Sequence, residues 1–419
     1  PSRVPWAAVG ENYNASDIIA LIKFLIMKND EEYDDALKEV EAAIQKLSRH
    51  GKAPGKLSLG ENVSLLEEKV NEYLETNNAT FITNATAGFE IAYKYANLGP
   101  GDEVIAPAIT FMATISYPLS VGAKVVFADV DPRTINLDPT DVAKKITKKT
   151  KVIVPVHIGG WPVDMDPIME SAKEHDIIVL EDAAHAFGSV YKGKKIGTIG
   201  HFGAFSFHEV KNVTSFGEGG IVVSTLPFGD DLKKCRFLGL DLSKKIKNWL
   251  YDVVAMEGKY GPFAAGNCSS TEVQALGLVQ QMSRINDIIA ERRRNAEYLT
   301  KRFKENEAII PQLLDTEEIQ STHHLYLLQI DPKKLKGDIQ TLKQKLDERG
   351  VTNIPHFAPL YKFNILKRLG YNQEEWEKAC PNAEQVFNHC FTHLPLYPLN
   401  QGQLEYMAEN VLQSVKELQ

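Results

Sequence analysis

From residue 80 onward, short apolar runs alternate along the chain with longer amphipathic stretches. Apolar runs of four or five residues bounded by turn residues are typical of buried strands, and apolar positions spaced three and four apart are typical of helices. The predicted strands are residues 80–83, 103–106, 125–128, 152–156, 177–180, 204–207 and 221–224. Regular alternation of strand and helix predicts an α/β fold with a mostly parallel central sheet flanked by helices.

Two amphipathic stretches precede this region. Residues 18–27 form an apolar run interrupted by Lys23. The run is too short to cross a bilayer, and we expect a buried or interface helix there. A second helix is predicted because apolar residues recur on one stripe before Gly51, namely Leu37, Val40, Ile44 and Leu47.

The last third of the chain has a different pattern. A long helix is predicted from about Thr271 to Lys304, with residues 291–294 on its solvated face. A strand at 324–330 and a helix at 342–349 follow, and proline-punctuated segments at 354–360 and 394–398 come after both. We therefore expect two domains: residues 1–285 form an N-terminal helical arm plus a large domain, and residues 286–419 form a smaller C-terminal α+β domain.

Composition narrows the possible functions. The 419 residues are 43% hydrophobic and 24% charged, which is ordinary for a globular protein. Lys plus Arg number 47 against 55 for Asp plus Glu, so no overall positive field would attract nucleic acid or an anionic membrane. The four cysteines have no paired spacing, which favours a reducing, cytoplasmic location over a disulfide framework or a zinc site.

Lys211 stands in an unusual context for a lysine. It follows the predicted strand 204–207 and precedes a glycine-rich turn at 217–220. Most lysines are solvated surface residues, and an exposed loop lysine is the simplest interpretation. A lysine held beside apolar side chains has a lowered pKa, however, and its neutral amine can form a Schiff base with an aldehyde.

Asp182 supplies a carboxylate at the end of another strand. The apolar run 177–180 leads into Glu-Asp-Ala-Ala-His at 181–185. In open α/β sheets, the carboxyl ends of the strands gather ligand groups. Asp182 is therefore either the N-cap of a following helix or the acid that pyridoxal phosphate (PLP) requires against its ring nitrogen.

Three motifs in this order resemble those of the DegT-type sugar aminotransferases, a PLP fold type I family of the aspartate aminotransferase superfamily. They are residues 181–185, Phe-Ser-Phe-His-Glu-Val-Lys-Asn at 205–212 and Gly-Glu-Gly-Gly at 217–220. The resemblance extends from about Val4 to Pro398. It implies a homodimeric enzyme of amino sugar biosynthesis that uses PLP and pyridoxamine phosphate. Its substrates would be an amino acid donor, glutamate or glutamine, and a keto sugar, above all a nucleotide-linked keto-deoxysugar.

The resemblance also implies roles for individual residues. Lys211 is the catalytic residue that holds the cofactor and moves protons. His324 matches a histidine that approaches the sugar in some relatives, although packing explains it equally well. The expected cofactor-binding residues are Thr86, Ala87 and Ser206 at the phosphate, Phe111 and His185 at the ring, Asp182 at the ring nitrogen, and Asn267 at the phosphate of the neighbouring subunit.

Other activities share parts of this pattern. An aminocyclitol aminotransferase, a sugar dehydratase using PLP or pyridoxamine phosphate, and a non-catalytic PLP-fold regulator all stay open. Dehydratase relatives can replace the lysine by histidine, whereas Lys211 is present here. A nicotinamide oxidoreductase is disfavoured because residues 83–88 lack the Gly-x-Gly-x-x-Gly turn. We expect no metal site.

Overall fold

The computed structural model describes residues 13–52, 55–353 and 357–419. The chain forms two compact units, Pro1–Gly60 and Glu61–Gln419. Within the described residues, no helix is both long enough and apolar enough to cross a membrane.

The first unit contains helices α1 (Ala15–Leu25) and α2 (Tyr33–His50). Helix α1 begins at a capping box formed by Asn14 and Asp17, and α2 ends before Gly51 as predicted. Only Ile19 of α1 is buried, whereas Phe24 and Met27 are 77% and 79% exposed. The prediction of a buried helix is therefore wrong for these side chains. That the helix lies at an interface stays a prediction.

The helices of the second unit follow the predicted alternation. They are α3 (Glu61–Leu74), α4 (Ala85–Tyr95), α5 (Ala113–Ser120), α6 (Pro139–Lys145), α7 (Met165–Glu174), α8 (Leu232–Cys235), α9 (Trp249–Asp252), α10 (Glu272–Met282), α11 (Ile285–Phe303), α12 (Ile339–Glu348), α13 (Asn364–Arg368), α14 (Gln373–Ala379), α15 (Pro381–Gln385) and α16 (Gln401–Leu418).

The strands are β1 (Thr80–Ile82), β2 (Glu103–Pro107), β3 (Lys124–Ala128), β4 (Thr150–Ile153), β5 (Ile178–Asp182), β6 (Val190–Tyr191), β7 (Lys194–Lys195), β8 (Phe202–Ser206), β9 (Gly220–Ser224), β10 (Met256–Glu257), β11 (Pro262–Phe263), β12 (Ile309–Ile310), β13 (Ile319–Gln320), β14 (Tyr326–Ile330) and β15 (Phe391–Leu394). All seven strands predicted between residues 80 and 224 are present.

These seven strands form one sheet in the order β1-β9-β8-β5-β4-β2-β3. Neighbours from β8 to β3 run parallel, and β9 pairs antiparallel with both β1 and β8. Strands β2, β5 and β9 are buried along their whole length, because a sheet covered by helices on both faces leaves neither side to solvent. The predicted mostly parallel α/β fold is confirmed.

A second, antiparallel sheet lies in the C-terminal part of the chain, in the order β12-β14-β15. It packs with α11, α12 and α16 around a hydrophobic cluster drawn entirely from residues 296–418. Tyr361 and Trp376 belong instead to the core of the large sheet. The domain boundary between residues 285 and 286 therefore stays a prediction.

The single long helix expected from Thr271 to Lys304 is wrong. The chain forms α10 and α11, separated by Ser283 and Arg284. The expected solvated face at 291–294 is also wrong for Arg292, which is only 4% exposed. Arg292 lies on the apolar stripe of α11, which includes Ile285, Ile289, Ala296, Leu299 and Phe303 at spacings of three and four.

Candidate active site

A cavity of about 570 Å³ lies where the carboxyl ends of β5 and β8 face the N-terminus of α4. Ligand sites of open α/β sheets occur at this edge. The cavity brings together seven of the nine residues expected from the sequence, namely Thr86, Phe111, Asp182, His185, Ser206, Lys211 and His324.

Lys211 reaches the cavity from the loop between β8 and β9. The loop is tied down by backbone hydrogen bonds: Phe207 N–H donates to Gly219 O at 2.7 Å, and Ser215 N–H donates to Phe207 O at 3.0 Å. Burial lowers the pKa of Lys211 to about 8, against the opposing charge of Asp182, which raises it. The loop therefore presents an amine that is partly neutral near physiological pH.

Asp182 is the last residue of β5 and is 5% exposed. Burial raises the pKa of Asp182 above its usual value, and four neighbours offset part of this rise. Thr114 Oγ1 donates to its Oδ2 at 2.8 Å, Ala184 N–H donates to its Oδ1 at 3.2 Å, and Lys211 and His157 act by charge. Residues 183–189 form turns, so no helix follows for Asp182 to cap. The N-cap interpretation is therefore wrong.

Thr114 was not expected from the sequence. It lies in the first turn of α5, where its hydroxyl joins Asp182 to Thr110 Oγ1 at 3.0 Å. Tyr93 donates its hydroxyl hydrogen bond to Thr114 O at 2.6 Å. Thr114 and Asp182 are 68 positions apart in the chain, so no local pattern could have paired them.

The N-terminus of α4 forms another wall of the cavity. Asn84 caps the helix, with its Oδ1 accepting the Ala87 N–H at 3.0 Å. A Cβ on Gly220 would lie 2.4 Å from the carbonyl carbon of Asn84, so only glycine lets β9 begin against this turn. Thr86 therefore stands at a positively polarised helix end, where anions are stabilised.

Histidine and phenylalanine rings form the remaining wall. The rings of His185 and His324 lie 4.4 Å apart, and Phe357 lies 5.9 Å from His185 and 6.3 Å from Phe111. His324 Nδ1 makes a 2.7 Å hydrogen bond with Asn212 Oδ1. Phe357, which borders the cavity, was not expected from the sequence. Phe111 is 62% exposed, so it stands at the rim.

The structure does not bring Ala87 and Asn267 into this cavity. Both border a separate cavity of about 60 Å³, beside Cys235 and Cys268. Asn267 is exposed, and its Oδ1 accepts a hydrogen bond from Ser269 Oγ at 2.8 Å. The role expected for Asn267 lies in a neighbouring subunit, so it stays a prediction.

His157, the other histidine near this sheet edge, has a structural role. It is fully buried, and its Nε2 lies 3.2 Å from Glu181 Oε2. Glu181 also accepts N–H hydrogen bonds from Gly197 and Gly200, at 2.8 and 2.6 Å. The pair therefore fixes the turn that leads into β8.

These groups fit pyridoxal phosphate. An amine with a lowered pKa suits the aldehyde carbon, and a helix N-terminus suits the phosphate. Within the described ranges, no cationic side chain lies within 4.0 Å of the Asp182 carboxylate. A protonated ring nitrogen would supply the missing charge.

No cluster of metal-ligating side chains is found in the part of the chain that the structure describes. Fold and site together define a PLP-dependent enzyme of fold type I.

The chain belongs to the DegT/DnrJ/EryC1/StrS aminotransferase family, whose model matches residues 37–412. It is 32% identical over 377 residues to the spore coat polysaccharide biosynthesis protein SpsC of Bacillus subtilis, covering 87% of this chain and 91% of that protein. It is 31% identical over 327 residues to a GDP-perosamine synthase of Caulobacter vibrioides, covering 77% and 83%.

A solved structure gives the same assignment. The putative sugar aminotransferase Spr1654 from Streptococcus pneumoniae, in its PMP form, superposes with a TM-score of 0.76 at 27% identity, covering 87% of this chain and 94% of that one. The same protein is known in a PLP form. The chain is thus a PLP-dependent aminotransferase, and the fold class, family and cofactor expected from the sequence are confirmed.

Proposed function

We propose that this aminotransferase moves the amino group of an amino acid, glutamate or glutamine, to the ketone of a nucleotide-linked keto-deoxysugar. The observation that carries the proposal is the pairing of Lys211, whose pKa burial lowers to about 8, with buried Asp182 in one cavity. The similarity to a GDP-perosamine synthase supports a nucleotide-linked acceptor.

In this proposal Lys211 is the catalytic residue. The bound cofactor supplies an electron sink that weakens the bonds at the donor Cα. Lys211 Nζ would hold the cofactor and would move the proton that leaves the donor Cα. Its low pKa suits both tasks, because the amine must be neutral to attack and to accept a proton.

The other residues hold the cofactor in place. Asp182 keeps the ring nitrogen protonated, and Thr114 fixes the carboxylate through its 2.8 Å hydrogen bond. Thr86 and Ser206 receive the phosphate at the start of α4, where Ala87 donates its N–H to the capping Asn84 instead. Phe111 and His185 border the ring, and His324 borders the sugar. Asn267 reaches the phosphate of the partner in a homodimer, which we place in the cytoplasm.

The proposal is tested in two half-reactions. PLP-loaded protein is mixed with L-glutamate or L-glutamine, and the 2-oxo acid released is counted per active site. The protein that has taken up the amino group is then mixed with a panel of nucleotide-linked keto-deoxysugars. Mass spectrometry identifies the amino sugar that forms. We expect one 2-oxo acid per site from wild type and none from Lys211→Ala.

The alternatives give different products. A sugar dehydratase would remove a hydroxyl and leave the sugar without an amino group, and a non-catalytic regulator would release no 2-oxo acid from any donor. An aminocyclitol aminotransferase would release the 2-oxo acid but would aminate only keto-cyclitols. Each of these results would contradict the proposed acceptor or activity.

A further inference from the structure

A second cavity of about 420 Å³ shares Lys211 and His324 with the cavity described above. Its other polar walls include Asn212, Arg284 and Arg292. No role is assigned to it by the proposed function. It is lined in part by Lys211, so a ligand in it would lie next to the residue that carries the proposed chemistry.

Arg292 is the unusual group in this second cavity. Its side chain comes from the buried stripe of α11 and is 4% exposed. Its Nη1 donates to His324 O at 2.9 Å, and the guanidinium lies 4.9 Å from the Tyr397 ring centre. Among the described residues, Nε has no hydrogen-bond partner and no carboxylate lies within 4.0 Å of the guanidinium.

Arg292 is therefore a buried cation without a counter-charge. Burial lowers its pKa to about 10, so it remains protonated at neutral pH. A buried charge that has no partner is costly, and an anion in the cavity would offset that cost. The other charged residues that border the cavity favour an anion as well: with Lys211 engaged by the cofactor, Arg284 and Arg292 are balanced by one carboxylate, Glu209, which leaves one positive charge in excess.

We propose that this second cavity receives a carboxylate of the amino-acid donor, with Arg292 as its counter-charge. The inference rests on the proposed function, since a donor must place its amino nitrogen next to Lys211. The carboxylate of an amino acid is only a few bonds from that nitrogen, and the second cavity begins at the same lysine. A guanidinium is suited to carboxylates because its planar N–H groups bind both oxygens.

Binding of glutarate tests this site without turnover. Glutarate carries two carboxylates and no amine, so it can occupy a donor subsite and cannot react. PLP-loaded protein, whose phosphate site and Lys211 are already engaged, is titrated calorimetrically with glutarate. We expect wild type to bind, and Arg292→Gln to bind about tenfold more weakly or worse, as expected for loss of a hydrogen bond to a charged group. Arg294→Gln, an exposed arginine two residues along α11, is the matched control and should bind as wild type.

A purely structural role for Arg292 gives a different result. If the residue only supports His324, Arg292→Gln should melt earlier yet bind glutarate with wild-type affinity, which would overturn the proposal. Arg292→Lys keeps the positive charge but loses the planar pair of N–H groups that binds both carboxylate oxygens. It therefore provides the test if Arg292→Gln fails to fold. The proposal expects weaker glutarate binding in Arg292→Lys, and unchanged affinity there would contradict it.

The half-reaction identifies which carboxylate is bound. If Arg292 binds the α-carboxylate, Arg292→Gln should raise the KM for L-glutamate and for L-glutamine alike. If Arg292 binds the side-chain carboxylate, Arg292→Gln should raise the KM for L-glutamate only. If the proposed function is wrong, wild type releases no 2-oxo acid, whether or not it binds glutarate. If only the role of Arg292 is wrong, wild type releases 2-oxo acid and Arg292→Gln binds glutarate with wild-type affinity.

Discussion

The reactivity of Lys211 should depend on pH in a way that few lysines show. The pKa of this amine is lowered to about 8 because it is buried, although Asp182 opposes the shift. A folded-state pKa below the usual value means that the neutral form becomes abundant as pH rises through 8. We therefore expect the rate at which PLP-free protein captures PLP to rise between pH 6 and 8 and to level off above about pH 8.5.

The size of the effect follows from the pKa. At pH 7, an amine of pKa 8 is roughly 9% neutral, whereas an ordinary lysine of pKa about 10.4 is roughly 0.04% neutral. Lys211 should therefore capture PLP about 200-fold faster than an ordinary lysine of equal nucleophilicity and access. Between pH 6 and pH 7 the rate should rise about tenfold, because the neutral fraction does so.

Stopped-flow absorbance measures the capture rate directly. N-acetyl-lysine amide, mixed with PLP in the same buffers, reports how the titration of PLP itself changes the reaction and serves as the reference. The ratio of the protein rate to the reference rate should fall as pH rises above 8. A protein rate that climbs in parallel with the reference up to pH 10 would show that Lys211 titrates as an exposed amine, and the argument from burial would be refuted.

Three substitutions test other parts of the structure. Thr114→Val removes the 2.8 Å hydrogen bond to Asp182 and should weaken PLP binding about tenfold, whereas Thr114→Ser should restore it; equal affinities in a PLP titration would contradict the role. Gly220→Ala places a Cβ 2.4 Å from a backbone carbon of the α4 turn, so both Tm and PLP affinity should fall, and an unchanged Tm would show that the turn can move. Glu67→Ala leaves Arg236 buried without its ion pair and should lower the free energy of unfolding by about 3–5 kcal/mol in urea, against little change for the exposed Glu68→Ala.

The sheet could be predicted from the sequence because its strands are continuous apolar runs bounded by turns. Strands β2, β5 and β9 are buried on both faces, and this burial requires such runs. The break between α10 and α11 could not be predicted in the same way. Ser283 and Arg284 interrupt the helix without proline or glycine, and the apolar spacing continues beyond them.

The two main catalytic candidates were found because strand ends meet at one edge of a parallel sheet. Asp182 ends β5, and Lys211 follows β8, the strand that pairs with β5. A charged run predicts a solvated face by residue type alone, and for that reason the prediction is wrong for Arg292. Its spacing from Ile289 and Ala296, three and four residues, carried the correct signal for a buried position. Thr114 left no such signal, since only the tertiary fold brings it to Asp182.

The central claim is that Lys211 holds the cofactor. PLP-loaded protein is reduced with borohydride, digested and analysed by mass spectrometry, in wild type and in Lys211→Ala. We expect a pyridoxyl phosphate group on the wild-type peptide that contains Lys211 and on no other lysine, and no labelled peptide from the variant. Labelling of a different lysine, or equal labelling in Lys211→Ala, would contradict the assignment.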